Sequence, residues 1–403
     1  MKEITLPQRM KFGIFLAPFH QVGENPTVSF ERNLELIKWL DDLDYDEVWV
    51  GEHHSGGWET IASPEMFLVA AAERTKNIRL GTGVISLPYH HPFMVAQRMV
   101  QLDHMTRGRA MLGVGPGALV SDAIMLGIHP PTQRPRMDEA LEIIIRLMKE
   151  TEPITYKSDW FEINRGLLHL RPYTKPHMPI AVAASQSPSG MILGGKYGIG
   201  ILSISVPRGS SVGWPGTERP SLKDYWNIAE ETAQKYGKVV DRCEWRLVLN
   251  VHIAESRKEA FSQAREKAGL YQQEYLEGTL GNASGFDGPV DKLIDYMVEQ
   301  NQWCVGTPDD LIDFIDRLAE MSGGFGGFLI QSTEWGTREQ IKHSYELISR
   351  YVMPHFQDSL VNLKASQKWA SRERDEFQAL RRADISKIQS DYQRLNERRI
   401  DPV

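Results

Sequence analysis

The sequence predicts an α/β fold, a TIM-type (β/α)8 barrel with insertions and a C-terminal helical tail. Three observations carry that prediction. Eight short runs with strand character each lead into helical text, so strand and helix alternate along one continuous chain. The first run, KFGIFLAP (Lys11 to Pro18), is apolar on both faces, as a parallel strand covered on each side should be. Between Val48 and Gly117, three such runs end in Gly, His or Pro, where a barrel gathers its function just past each strand. A doubly wound open sheet shares the alternation and is the other fold compatible with it.

In order, the first strand precedes a helix, FERNLELIKWLDDLD, which Ser29 is expected to cap and whose Phe30, Leu34, Ile37 and Leu40 share a face. Strands two to four lie in VWVGEHHSGGW, IRLGTGVISLP and GRAMLGVGPGAL, separated by the helices ASPEMFLVAAAERT and PFMVAQRMVQLDHMT. A helix from about Arg134, RMDEALEIIIRLMKE, repeats apolar residues at helical spacing. Pro153 to Pro179 then breaks the rhythm and reads as a β-ribbon excursion punctuated by proline and aromatics. Ile180 to Ser185 is the fifth strand and Gly198 to Ser205 the sixth. The loop from Pro207 to Ser221, rich in Gly, Pro and Ser, is expected to act as a lid. LKDYWNIAEETAQKYG and WRLVLNVHIA supply the seventh unit. Ser256 to Gly306 is a second interruption, predicted as a long helix, a Gly-rich turn and another helix. Thr307 caps the next helix, with Pro308 at its first position. GGFLIQS is the eighth strand, and REQIKHSYELISRYVMPHF closes the series. The expected organisation is a barrel domain over residues 1–356, with insertions at about 153–179, 207–221 and 272–306, and a charged helical extension over 357–403.

Composition bounds the function. A chain of 403 residues with 41% hydrophobic and 25% charged residues can bury a large core. A net charge of −7 argues against nucleic acid as a partner. No apolar run has the length of a membrane span, and the N-terminus lacks a signal-peptide core. The two cysteines, Cys243 and Cys304, are far apart, which excludes a disulfide scaffold and suits a reducing cytoplasm.

Glu52-His53-His54 stands at the exit of the second strand. Adjacent strand residues face opposite ways, so the two histidines make poor partners for one metal ion, and no metal is expected. Local hydrogen bonding and an acid–base role at the barrel mouth both fit them. Gly81-Thr82-Gly83-Val84 suits tight strand–helix packing or a flat ring lying against the backbone. Gly113-Val114-Gly115-Pro116-Gly117 lacks the third glycine of a dinucleotide fingerprint. Ser185-Gln186-Ser187-Pro188-Ser189-Gly190, before helical text, is either a capped turn or a cradle for a monophosphate. No nucleophile elbow and no P-loop occur. Phe15, Ala17, Phe19, Trp58 and Trp214 are candidates for apolar walls of a substrate pocket, and Trp160 and Phe161 add to the aromatic load; core packing is the alternative for part of this set.

Five of these stretches together (KFGIFLAPFH, DEVWVGEHH, LGTGVISLPYHHPFMVAQRMVQLDHMTRGRAMLGVGPG, RMDEALEIIIRLMK and MPIAVAAS) resemble the bacterial-luciferase-like family of flavin-dependent monooxygenases, from Lys11 to about His355. CVGTPDDLIDFIDRL, with the Gly-rich insertion before it, is most similar to the limonene-monooxygenase-type branch. The resemblance implies a TIM barrel, commonly a homodimer, that receives reduced flavin from a separate NAD(P)H-dependent flavin reductase. The reduced flavin reacts with O2, and the resulting flavin peroxide oxygenates a small hydrophobic substrate such as a terpene or cyclic ketone. FMN is expected over FAD, given the missing dinucleotide fingerprint. His53 matches the family's histidine after the second strand, which assists the peroxide. Thr82, Gly83 and Val84 match the cofactor-binding stretch, with a non-prolyl cis peptide at Gly83-Val84. Ser185 matches a flavin-phosphate contact, with Gln186 and Ser187 beside it. Ala184 stands where luciferase carries a glutamate, Gly115 where it has a reactive cysteine, and Pro116 where an arginine contacts the phosphate. These departures argue against light emission. A deazaflavin-dependent hydride-transfer enzyme and a non-catalytic flavin-binding protein are the other readings of the same fold.

Overall fold

In the computed structural model, residues 6–7, 9–17, 20–185, 187–204, 221–282 and 284–397 are described. The strands are Lys11–Leu16 (β1), Glu47–Val50 (β2), Arg79–Thr82 (β3), Ile85–Ser86 (β4), Ala110–Gly115 (β5), Ile154–Lys157 (β6), Glu162–Gly166 (β7), Ile180–Ala184 (β8), Gly200–Ile204 (β9), Trp245–Ile253 (β10), Trp303–Gly306 (β11) and Gly327–Gln331 (β12). Eight of them pair in parallel in the order β1-β2-β3-β5-β8-β9-β10-β12, and β12 returns to β1 with Phe15 opposite Gln331. The sheet is therefore a closed barrel and not an open doubly wound sheet. Its eight staves are the eight runs that the sequence marks.

Side chains fill the cylinder in layers. Phe15, Trp49, Met111, Ala181, Leu202, Val248 and Leu329 form one cluster inside it. Below them the Arg246 guanidinium donates to both carboxylate oxygens of Glu47 at 2.8 and 3.0 Å, and both side chains are buried. Trp49 donates to the same carboxylate at 3.1 Å, and the guanidinium lies against the face of its ring. The indole needs room that only glycine leaves: a Cβ on Gly81 would stand 2.6 Å from it.

The excursion after residue 153 is the antiparallel ribbon β6–β7. The second interruption holds helices Arg257–Leu270 and Val290–Glu299, with a π-helical turn at Tyr271–Glu277. It also holds β11, which the sequence reading did not include. This strand pairs with the overhanging end of β10, Asn250 opposite Trp303. A second aromatic core forms there from Trp58, Tyr271, Tyr275, Trp303 and Trp335. One cap differs from expectation. The first helix is Pro26–Asp42; Asn25 caps it, its side chain accepting from the Thr27 amide at 3.0 Å, and Ser29 is buried one turn inside. Proline at the first helical position and asparagine before it start the helix earlier than a Ser29 cap allows. Thr307 does cap its helix, in a reciprocal box with Asp310.

Two compact units divide the chain, Met1–Met353 and Pro354–Val403. The second consists mainly of helices Val361–Arg372 and Arg374–Glu397, with Trp369 edge-on to Phe377 at 5.2 Å. Among the described residues no helix is long and apolar enough to cross a membrane.

Candidate active site

Burial along each stave locates the mouth. The strands are buried for most of their length, and each becomes partly exposed at its carboxyl end: Ala17, His53, Val84, Pro116, Ala183, Ile204, Asn250 and Gln331. One such residue per stave rings the carboxyl end of the cylinder, and Ala17, Val84 and Ile204 rest on the cluster that contains Phe15. Phe15 is thus the floor of the mouth. Five members of the ring are apolar and three are polar.

The wall formed by β3, β5 and β8 is stripped of bulk. Between β3 and β4 the chain steps by one residue in its pairing with β5, from Gly81 opposite Met111 to Ile85 opposite Val114, and the peptide bond Gly83-Val84 is cis. The Thr82 hydroxyl bridges this step, donating to the Gly113 carbonyl at 2.8 Å and accepting from its amide at 2.9 Å. Thr82 itself is fully buried. A Cβ on Gly115 would stand 2.4 Å from Val84 Cγ2, so a larger residue would push Val84 out of the wall. The Pro116 carbonyl accepts from Gln133 Nε2 at 2.7 Å. On β8, Ala183 faces the mouth, whereas Ala184 is buried beneath helix Ser189–Tyr197, next to Gly190. Ser185 is exposed at the strand's exit, and Ser187 lies 2.8 Å from the Ser189 hydroxyl at the start of that helix. Phe19, Gln186 and Trp214, and residues 207–220 of the expected lid, lie outside the described residues. Trp58 is packed in the second aromatic core, its indole donating to Thr279 at 3.0 Å.

His53 and His54 part as strand alternation demands. The His53 Nδ1 donates to Asp122 at 3.1 Å, and its Nε2 lies 3.3 Å from Glu59 Oε2. That second contact is electrostatic, since Glu59 Oε2 accepts no hydrogen bond and is buried. Burial opposes the imidazolium, but the charge of Glu59 and the hydrogen bond and charge of Asp122 outweigh it and raise the His53 pKa. Burial also raises the Glu59 pKa, against the pull of His53. For Asp122 burial is overcome by hydrogen bonds from His53 and Ser55, so its carboxyl stays below its ordinary range. The sequence reading named neither carboxylate. Asp122 also accepts from the His54 amide at 3.2 Å, which fixes the loop that carries both histidines.

His54 turns to Glu52. Its Nε2 and that of His90 donate to Glu52 Oε1 at 2.8 and 2.7 Å, and the Ser86 amide donates to Oε2 at 2.9 Å. Burial favours the neutral Glu52 acid, but these donors prevail and hold its pKa low. Three atoms of metal-ligand type meet within 4.8 Å in this cluster. Two imidazole donors converging on one carboxylate oxygen account for that geometry by hydrogen bonding alone.

The family model for luciferase-like monooxygenases matches residues 10–324. The chain is 45% identical to 4-hydroxyprotoasukamycin monooxygenase of Streptomyces nodosus subsp. asukaensis over 91% of its own length and 97% of that protein. It is also 45% identical to limonene 1,2-monooxygenase of Rhodococcus erythropolis, over 87% of this chain and 88% of that one. Among solved structures, the oxygenating constituent of 3,6-diketocamphane monooxygenase from Pseudomonas putida, a type II Baeyer–Villiger monooxygenase in complex with FMN, superposes with a TM-score of 0.72. It is 25% identical and aligns over 86% of this chain and 98% of that one. A closed parallel barrel and near-full-length similarity to named monooxygenases lead to one assignment: the chain belongs to the luciferase-like monooxygenase family and is an oxidoreductase.

Proposed function

We propose that the chain is the oxygenase component of a two-component flavin monooxygenase. It takes reduced FMN from a separate NAD(P)H-dependent reductase in the cytoplasm and uses O2 to place one oxygen atom in a small hydrophobic organic substrate. The observation that carries this reading is the poverty of the mouth: five of its eight ring positions are apolar, and His53 is the one titratable side chain among them. A site with so few reactive groups must borrow its oxidant, and bound reduced flavin supplies the electrons that activate O2.

The residues present fit such a cofactor. Glycine at position 115 leaves room for the Val84 side chain, which a Cβ there would meet at 2.4 Å, and small Ala183 adjoins them. Ser185, Ser187 and the start of helix Ser189–Tyr197 lie at the adjoining exit of β8, where hydroxyls and free amides suit a monophosphate. In this proposal Val84 supports the ring, Ser185 and Ser187 hold the phosphate, and the apolar rim with Phe15 below it excludes water. His53, protonated more readily than a free imidazole, holds a proton at Nε2 and passes it to the reacting oxygen. A homodimer is part of the reading: Met66 and Met94, on the neighbouring helices Pro64–Ala72 and Pro92–Met105, are exposed and suit a second copy.

The test is turnover under 18O2 with FMN, NADH and an added flavin reductase, across a panel of monoterpenes and cyclic ketones. One labelled oxygen atom in the product is the expected result. Substrate reduced without label, or flavin bound with no product from any member, would favour the hydride-transfer and the non-catalytic reading respectively.

A further inference from the structure

The proposed chemistry leaves two polar residues of the mouth unused, Asn250 and Gln331, and Asn250 is the one with an orphaned buried atom. Strand β10 alternates cleanly: Trp245 stacks on Trp226 outside the barrel, while Arg246 and Val248 point inward to Glu47 and to the central cluster. Asn250 continues the inward phase two residues on, opposite Gln331 of β12. Its Nδ2 is buried and has no hydrogen-bond partner among the described residues. A buried amide donor left unpaired costs free energy, and a native site retains one where a ligand completes it.

Position says which ligand. In the barrel order β10 stands four staves from β3, on the far side of the cylinder from Val84. A flat ring resting on the β3, β5 and β8 wall leaves the space next to β10 and β12 for the molecule to be oxidised. Gln331 stands beside Asn250 on β12, and the rest of that space is apolar, with Ile204 one step down the cylinder opposite Val248 and Ala17 two staves away.

We infer that Asn250 is a specificity-determining residue that donates through Nδ2 to an oxygen of the substrate, and that the preferred substrates are apolar molecules bearing a carbonyl, not bare hydrocarbons. The inference rests on the flavin-binding reading above and adds the substrate class. A donor fixed at one point of an apolar chamber orients a carbonyl compound and discriminates against its hydrocarbon isostere, whose binding leaves the amide unpaired.

The experiment compares 4-tert-butylcyclohexanone with 4-tert-butyl-1-methylenecyclohexane, two probes of the same shape that differ by an oxygen acceptor. Affinities for the full-length chain are measured by calorimetry, with and without oxidised FMN, while FMN affinity is read separately by fluorescence quenching. The ketone is expected to bind about tenfold more tightly or better. Asn250→Leu is expected to erase that preference and leave FMN affinity unchanged, and Asn250→Asp, which keeps the shape and replaces the donor by an acceptor, to erase it too. Equal affinity of the wild-type chain for the two probes, including none for either, would overturn the inference. So would a preference that survives both substitutions, or a loss of FMN affinity in Asn250→Leu, which would give the amide to the cofactor. Failure of the underlying reading shows elsewhere, as wild-type chain that binds no FMN.

Discussion

His53 is held by two carboxylates that behave oppositely: Asp122 ionises readily and Glu59 resists ionisation. His53→Ala is expected to lower the oxygenation rate about 100-fold, the typical worth of a positioned acid or base, with FMN affinity preserved. Stopped-flow turnover and flavin titration separate the two effects. Asp122→Asn removes an acceptor and a charge that favour the imidazolium, so the His53 pKa falls and the limb of the pH–rate profile that it controls moves to lower pH. The same contact contributes to stability within a window. The raised His53 pKa stabilises the fold below about pH 6.5 and loses that effect as pH climbs through the folded value. The lowered Asp122 pKa stabilises above about pH 3.9 and loses it as pH falls. The melting-temperature gap between wild type and Asp122→Asn is therefore expected to be widest between those limits and to narrow on either side; a gap independent of pH would remove the charge pairing from the account. His53 was legible in the sequence because it ends a strand. Its partners were not, since Asp122 lies 69 residues away and only the fold brings it near. Asn250 had a signal: it is a polar residue on the inward phase of its strand, two residues beyond Val248 and near the mouth end.

At the scale of the element, two local devices carry measurable weight. In the helix Pro308–Ser322, Thr307 and Asp310 cap each other, and the Arg257 guanidinium bonded to Asp310 holds its carboxyl down to about 2. Thr307→Ala is expected to cost about 1 kcal/mol in urea unfolding. Asp310, depressed below its ordinary pKa, contributes stability above about pH 3.9 that fades as pH falls toward its folded value. In the barrel interior, Arg246→Met would strand the buried Glu47 carboxylate and cost about 3–5 kcal/mol, whereas the double replacement Arg246→Met with Glu47→Leu should recover much of that loss. Thermal melts of the three variants check it. The staves and the Thr307 cap could be read from one dimension because each depends on its own residues: apolar runs, and Thr-Pro before an apolar helix. Strand β11 could not, because Trp303–Gly306 is four residues long and owes its conformation to the free edge of β10. Ser29 misled because its hydroxyl type is right for a cap while the stronger pair, Asn25 and Pro26, lies just upstream.

For the whole molecule, the closed barrel follows from eight buried runs that must all pair in parallel, and closure pairs every stave on both sides, with β11 covering the overhanging end of β10. All eight strand-exit residues of the mouth belong to the unit Met1–Met353. A chain truncated after residue 356 is accordingly expected to keep FMN affinity and oxygenation chemistry, as read by flavin quenching and label incorporation; loss of both in a truncated chain that still folds would place part of the site in the tail. In the proposed function a flavin ring lies in this mouth against Val84, facing Asn250 across the cylinder. Crystals grown with FMN test it most directly. Isoalloxazine density is expected within about 4 Å of the Val84 side chain, with the phosphate at Ser185 and Ser187; an intact barrel whose mouth is closed by its own side chains, or FMN bound anywhere else, would overturn that placement.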